Sequence, residues 1–130
     1  MSLARCSKTT IGGLLLLLTL FLGTASAISD LESRRIDYLI AAVEQLRGAK
    51  FVRNGKEYDG KQAAEHLRLK RKNTESRVQS AEDFIRVCAT KSYLSGKPYL
   101  IRFSDGRQVP SSEFFQKLLS EYRPVDSNRR

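Results

Sequence analysis

The sequence of 130 residues contains no tryptophan, one histidine, one methionine, two cysteines and three prolines. Zinc sites usually take three or four protein ligands, mostly histidine and cysteine, so His66 alone makes a metal site implausible. Cys6 precedes a long apolar run, which leaves Cys88 as the one cysteine of the folded domain. An internal disulfide is therefore excluded, and a hydrophobic core has to hold the fold.

Long apolar runs are also scarce, with one exception near the amino terminus. Basic residues precede the apolar run 11–22, and Ala25 and Ala27 occupy the −3 and −1 positions of a cleavage site. This order is typical of a secretory signal peptide that is cleaved after Ala27. An uncleaved anchor is the alternative, but a membrane span needs about 20 apolar residues. We expect residues 1–27 to be removed and no transmembrane segment to remain.

Acidic side chains are in the minority, with 14 against 23 basic ones. Loss of Arg5 and Lys8 with the signal peptide leaves a net charge of +7. Such a balance favours anionic partners. An exported protein rarely meets nucleic acid, so we expect no nucleic-acid partner but an anionic envelope component or an acidic protein. The oligomeric state stays open.

Hydrophobic periodicity predicts four short helices in one α+β domain, residues 28–123, followed by a polar tail, residues 124–130. Ser29 and Glu32 are spaced as a capping box for a first helix that continues to about Arg47. Asp59 and Gln62 are spaced in the same way for the second helix. Its apolar stripe is narrow and consists of Ala63, Ala64 and Leu67, while the rest of the helix, through Lys72, is polar or basic.

The third helix begins after Ser80, and its apolar face includes Cys88. The last helix carries the strongest apolar stripe of the chain: Phe114, Phe115, Leu118, Leu119 and Tyr122. Asn54-Gly55 predicts a tight type I′ turn between two short strands. A second strand pair is predicted around Asp105-Gly106. The two hairpins are expected to join into one small antiparallel sheet with helices packed against it.

Five segments carry a resemblance to a known family: Phe51–Gly55, Ala64–Lys70, Asn73-Thr74, Ala81–Ile85 and Ser95–Tyr99. In their order and spacing the chain resembles the YfeK-like family of small exported bacterial proteins, a domain of unknown function. The resemblance implies a periplasmic location and supplies no activity. The chain departs from the family pattern at Lys91 and Tyr93, where the resemblance leads us to expect small hydroxyl residues.

A basic surface formed by the first hairpin, the second helix and the loop before Tyr99 is the candidate binding site. Its predicted residues are Arg53, Asn54, His66, Arg68, Lys70, Arg71, Ser95, Lys97 and Tyr99. A solvated helix face is the alternative interpretation of the basic run after His66. His66 falls at the border of the buried face, where it serves either a structural role or ligand binding and pH sensing.

No Ser/His/Asp arrangement, paired carboxylate motif or nucleotide fingerprint stands out, so we predict no catalytic residue and no cofactor. Cys88 is expected to be a buried, inert thiol rather than a nucleophile, because apolar neighbours disfavour the thiolate. The sequence thus favours a small binding protein. Two alternatives remain. A hydrolase of envelope polymers would need a pocket at His66 with a carboxylate beside it. A structural partner subunit would need an exposed apolar patch.

Overall fold

The computed structural model of the protein describes residues 27–125. The signal peptide predicted for residues 1–27 lies almost entirely outside the described residues, as do the last five residues of the tail. The elements are α1 (Asp30–Glu44), β1 (Lys50–Arg53), β2 (Lys56–Tyr58), α2 (Gly60–Asn73), a 3₁₀ turn (Glu75–Arg77), α3 (Ala81–Phe84) with a π-helical extension (Ile85–Ala89), β3 (Leu100–Arg102), β4 (Gln108–Pro110) and α4 (Ser111–Glu121). No helix between residues 27 and 125 has the length and apolarity needed to cross a membrane.

The four strands form one antiparallel sheet in the order β2-β1-β3-β4, as the two predicted hairpins require. Phe51 pairs with Tyr58 on one side and with Ile101 on the other, which joins the hairpins through β1 and β3. The first turn is of the predicted type, since Asn54 and Gly55 both have positive φ angles, 52° and 78°. The expected α+β class and single domain are therefore confirmed.

The core lies between the helices and the sheet. Its fully buried members include Ile36, Leu39 and Val43 of α1, Ala64 and Leu67 of α2, Phe84 and Cys88 of the third helix, Ile101 of β3 and Phe115 of α4. Phe84 and Phe115 meet edge to face with ring centroids 6.3 Å apart. The thiol of Cys88 is buried as predicted, with its Sγ 3.4 Å from the Thr74 hydroxyl. Burial raises the pKa of this thiol.

Two details of α1 differ from the prediction. The Ser29 hydroxyl accepts from the Glu32 N–H as expected, but the Glu32 carboxylate does not reach back to close the capping box. It accepts instead from the Ala81 N–H at 2.7 Å, so it caps the third helix across the interface. The helix also ends at Glu44, three residues before Arg47, where the backbone of α2 packs against its last turn.

Helix α4 is only partly covered. Phe115 is fully buried, but the other members of its predicted stripe are half-buried. Phe114 and Leu118 line a groove of about 450 Å³ together with Phe103 and Val109 of the second hairpin. The strongest apolar stripe in the sequence therefore lies at the edge of the core, because the small domain offers it only a partial cover.

Candidate functional site

Helix α2 carries four of the predicted site residues, and two of them, His66 and Lys70, lie one turn apart. Its start is fixed by the predicted capping box, in which Asp59 accepts from the Gln62 N–H and the Gln62 side chain accepts from the Asp59 N–H. From that start, His66 lies at the edge of the buried face and Lys70 continues the line of Ala63 and Leu67. The capped helix thus presents an imidazole and an amino group toward β1 and the segment 91–99.

Arg53, the last residue of β1, contacts His66 directly. Its Nη1 lies 3.0 Å from each imidazole nitrogen, and the His66 Nε2 lies 3.5 Å from the Tyr99 hydroxyl. A guanidinium only donates and a neutral imidazole has a single acceptor nitrogen, so one of the two ring nitrogens accepts from Arg53, and the imidazole is neutral in this contact. Burial, followed by the charges of Arg53 and Lys70, lowers the pKa of His66 from 6.5 to about 4. The histidine is therefore uncharged at neutral pH.

Lys70 is buried, which corrects the expectation of a basic, solvated residue off the apolar stripe. Its amino group donates to the Lys91 carbonyl at 3.1 Å and to the Tyr99 hydroxyl at 3.3 Å. It also lies 4.3 Å from the ring centroid of Tyr93 and 4.9 Å from that of Tyr99. Position 70 follows Ala63 and Leu67 at helical spacing, so the long stem packs with the core while the head finds polar partners. Burial is the main cause that lowers the pKa of Lys70 to about 8.

Tyr99 joins these groups from inside the molecule. It is 2% exposed, and its ring packs on Phe51 with centroids 5.2 Å apart. Its hydroxyl lies between the Lys70 amino group and the His66 imidazole. Tyr99, which the sequence predicts as a binding residue, is thus buried: it positions its neighbours and has almost no surface of its own to offer a ligand.

We call the four side chains Arg53, His66, Tyr99 and Lys70, taken in spatial order, the basic row. A positive group stands at each end of the row and two neutral groups stand between them. Within residues 27–125, no carboxylate oxygen lies within 4 Å of the Arg53 guanidinium or the Lys70 amino group, since every ion pair there involves other residues. The row therefore carries positive charge that no ion pair compensates.

The row opens to solvent at Arg53. A cleft of about 180 Å³ between the first hairpin and α2 is lined by Phe51, Arg53, Tyr58, Gln62, Ala63, Glu65 and His66. Arg53 also stacks over the Tyr58 ring at 5.3 Å. Glu65 is exposed and brings one carboxylate to the cleft. A space of this size accommodates a phosphate or carboxylate group and is small for a whole nucleotide.

The structure separates Arg68 and Arg71 from the basic row. Arg68 pairs with Glu44, and Arg71 pairs with Asp37 at 2.6 Å and donates to the Ser33 hydroxyl at 2.8 Å. These partners all lie on α1, on the other side of α2 from the hairpin. Two of the predicted site residues thus join helices α1 and α2, where acidic side chains neutralise their charge.

The loop before Tyr99 does reach the first hairpin, as the candidate site requires. The Ser95 hydroxyl donates to the Asn54 side-chain oxygen at 2.5 Å and accepts from the Lys97 N–H at 3.3 Å. Asn54 follows Arg53 directly, so Ser95 and Lys97 are held at the same end of the domain as the cleft. The Lys97 side chain is exposed.

Sequence reasoning missed Tyr93 and Arg77. The Tyr93 hydroxyl donates to the Val87 carbonyl at 2.8 Å and accepts from Arg77 at 2.9 Å, which places the Tyr93 ring against Lys70. Tyr93 lies in a loop and Arg77 in a three-residue 3₁₀ turn, where periodicity gives no signal. In the sequence, Tyr93 stood out only as a departure from the family pattern.

A larger groove of about 660 Å³ between α1, the third helix and α4 contains none of the predicted site residues. Its charged lining is internally paired, because Arg35 bonds Glu82 at 2.8 Å and Arg86 bonds Asp83 at 2.7 Å. A ligand would have to displace these contacts. The basic row is the better candidate site, although its cleft is smaller.

Fold and site together define a small α+β domain with a half-buried basic row beside a narrow cleft. The family of unknown function DUF5329 matches residues 30–123, and the chain belongs to this family. It is 43% identical over 68 residues to the uncharacterised protein YfeK of Salmonella typhimurium strain LT2. That alignment covers 52% of this chain and 57% of the relative, so it spans little more than half the length of YfeK. No solved structure matches. The predicted resemblance is confirmed.

Proposed function

We propose that the protein is an exported binding protein that recognises an anionic group of an envelope component at the cleft beside Arg53. The observation that carries this proposal is the uncompensated positive charge of the basic row. A phosphate or carboxylate oxygen in the cleft would accept from the Arg53 guanidinium and would be favoured by the charge of Lys70 behind it. An acidic protein side chain offers the same chemistry.

Arg53→Ala tests the proposed contact. We expect the affinity for inorganic phosphate, measured by calorimetry on the processed chain, to fall at least about tenfold, because a charge-assisted hydrogen bond is lost. Arg68→Ala is the matched control, since Arg68 is an exposed arginine of the same domain but is paired with Glu44 on α1. An equal loss of phosphate affinity in both variants, or no loss in Arg53→Ala, would show that the cleft at Arg53 is not the anion-binding site.

Export is part of the proposal and has its own measurement. The intact mass of protein recovered from the periplasm should correspond to a chain that begins at Ile28, because the cleavage signal ends at Ala27. Recovery of the chain in the membrane fraction with residues 1–27 still attached would contradict it.

The hydrolase alternative has less support from the geometry. His66 does line a cleft with Glu65, but its ring nitrogens contact Arg53 and the Tyr99 hydroxyl, and among residues 27–125 they make no hydrogen bond to a carboxylate. With a pKa of about 4 the imidazole is a weak base at neutral pH. A structural role in a complex draws support from one observation, the half-buried groove along α4.

A further inference from the structure

The most exposed large apolar side chain of residues 27–125 lies in the loop that leads to Tyr99. Leu94 is 99% exposed, and its neighbour Tyr93 is 53% exposed. Single exposed leucines are ordinary on protein surfaces, so exposure alone decides nothing. The surroundings of Leu94 are more informative. It lies in residues 91–98, which we call the tip loop.

Hydrogen bonds hold the tip loop in shape. The Ser92 N–H donates to the Lys97 carbonyl at 3.0 Å, and the Gly96 N–H donates to the Ser92 carbonyl at 2.9 Å. Gly96 has a φ of 69°, which lets the chain turn back. A bridge between Lys91 and Pro98 closes the base of the loop. The hydrogen bond from Ser95 to Asn54 ties the loop to the first hairpin. Leu94 is therefore held out into solvent by a defined turn.

Two lysines flank this apolar tip along the chain. Lys91 and Lys97 flank it, both are exposed, and neither has a carboxylate oxygen within 4 Å in the part of the chain that the structure describes. Tyr93 adds an aromatic ring that is 53% exposed and whose hydroxyl is hydrogen-bonded. An apolar tip, an amphipathic aromatic ring and a collar of lysines together match the boundary between acyl chains and anionic headgroups.

We infer that the tip loop docks on a lipid bilayer that contains anionic phospholipid, with Leu94 inserted among the headgroups. The inference rests on the proposed function and deepens it by naming the anionic component, since the bond between Ser95 and Asn54 keeps the Arg53 cleft at the same end of the domain. A bilayer suits this surface better than a protein does. Specific protein interfaces bury about 800 Å² on each partner, whereas one protruding leucine with a charged collar offers far less.

Vesicle sedimentation of the processed chain tests the inference. We expect binding to vesicles containing phosphatidylglycerol and none to vesicles of phosphatidylcholine alone. Leu94→Ser should weaken binding about tenfold, because the apolar contact is lost. Leu31→Ser is the matched control, as Leu31 is 48% exposed on α1 and should leave binding unchanged. Because the chain has no native tryptophan, Leu94→Trp gives a single probe whose emission should shift to the blue on the same vesicles.

The outcomes separate the inference from the proposed function. If phosphate binds at Arg53 but the vesicles do not bind, or bind equally well after Leu94→Ser, the inference is wrong and the proposed function stands. Unshifted tryptophan emission on bound vesicles would also overturn it. If Leu94→Ser left vesicle binding intact and abolished self-association instead, the tip loop would be a contact between protein copies. If vesicle binding requires Leu94 but phosphate does not bind, the docking of the tip loop is supported and anion binding at the Arg53 cleft is overturned.

Discussion

Gly60→Ala is expected to destabilise the fold by about 3 kcal/mol, the upper part of the range for overpacked interiors. A methyl group on Gly60 would stand 2.3 Å from the Val43 carbonyl oxygen and 3.0 Å from that of Glu44. Both atoms belong to the backbone of α1, so neither moves aside without shifting the helix. Helix propensity acts in the opposite direction, since alanine is favoured over glycine by up to about 1 kcal/mol. The steric effect should exceed it.

Urea denaturation followed by circular dichroism measures this difference. Thermal unfolding should show a drop in Tm of roughly 12–24 °C for a domain of this size. Lys61→Ala, at the next and exposed position of α2, is the control and should be nearly neutral. A Gly60→Ala variant as stable as the parent would mean that α1 and α2 do not approach as closely as the structure places them.

Lys70→Met is expected to change how stability depends on alkaline pH. The pKa of Lys70 is about 8 in the folded chain against an ordinary value of 10.5, mainly because of burial. Between these two values the unfolded chain binds more protons than the folded one, so the contribution of Lys70 to stability rises as pH rises. Over the whole interval the rise amounts to about 3 kcal/mol.

Relative to Lys70→Met, the parent should therefore gain stability between neutral pH and about pH 10, by most of that amount. Methionine fills similar volume without a charge, so the variant should fold, and comparing the two chains cancels most of the titration of other groups. Lys72→Met, at an exposed position of the same helix, controls for the exchange of lysine for methionine. A difference between parent and Lys70→Met that stays constant with pH would contradict the burial of a charged amino group.

Sequence patterns predicted the local elements because each has a local cause. Asn54-Gly55 forms its turn through the backbone freedom of these two residues alone, and Asp59 with Gln62 closes a capping box within one turn. The joining of the two hairpins into one antiparallel sheet was also predicted, and β1 and β3 make that junction. By contrast, the Glu32 carboxylate found the Ala81 N–H on a distant segment, and no local rule anticipates that partner.

Charge was the least predictable part of the site. In the sequence, the basic run on α2 suggests one basic surface, but its side chains lie apart in the structure. Arg68 and Arg71 pair with acidic residues of α1. Lys70 is buried against the rings of Tyr93 and Tyr99. The pairing of each arginine with a carboxylate depends on how α1 and α2 pack. The sequence of α2 alone does not predict that packing. Arg53 and His66 were predicted individually, whereas their direct contact became visible only in the structure.

The central claim is that the cleft at Arg53 is electropositive and accepts an anion. His66 reports on it directly, because the chain has one histidine and therefore a single pair of imidazole C–H signals, Hε1 and Hδ2, in a proton NMR spectrum, provided that no histidine tag remains. The measurement is a pH titration of these signals with and without inorganic phosphate, with methyl dispersion confirming the fold at each point. Arg53→Ala, which removes a neighbouring positive charge, should raise the pKa and abolish the response to phosphate.

Without phosphate the pKa of His66 should lie near 4, and bound phosphate should raise it by about one unit or more, because a nearby anion favours the imidazolium. A pKa close to 6.5 that phosphate leaves unchanged would show that His66 feels neither burial nor the charges of Arg53 and Lys70. That result would contradict the account.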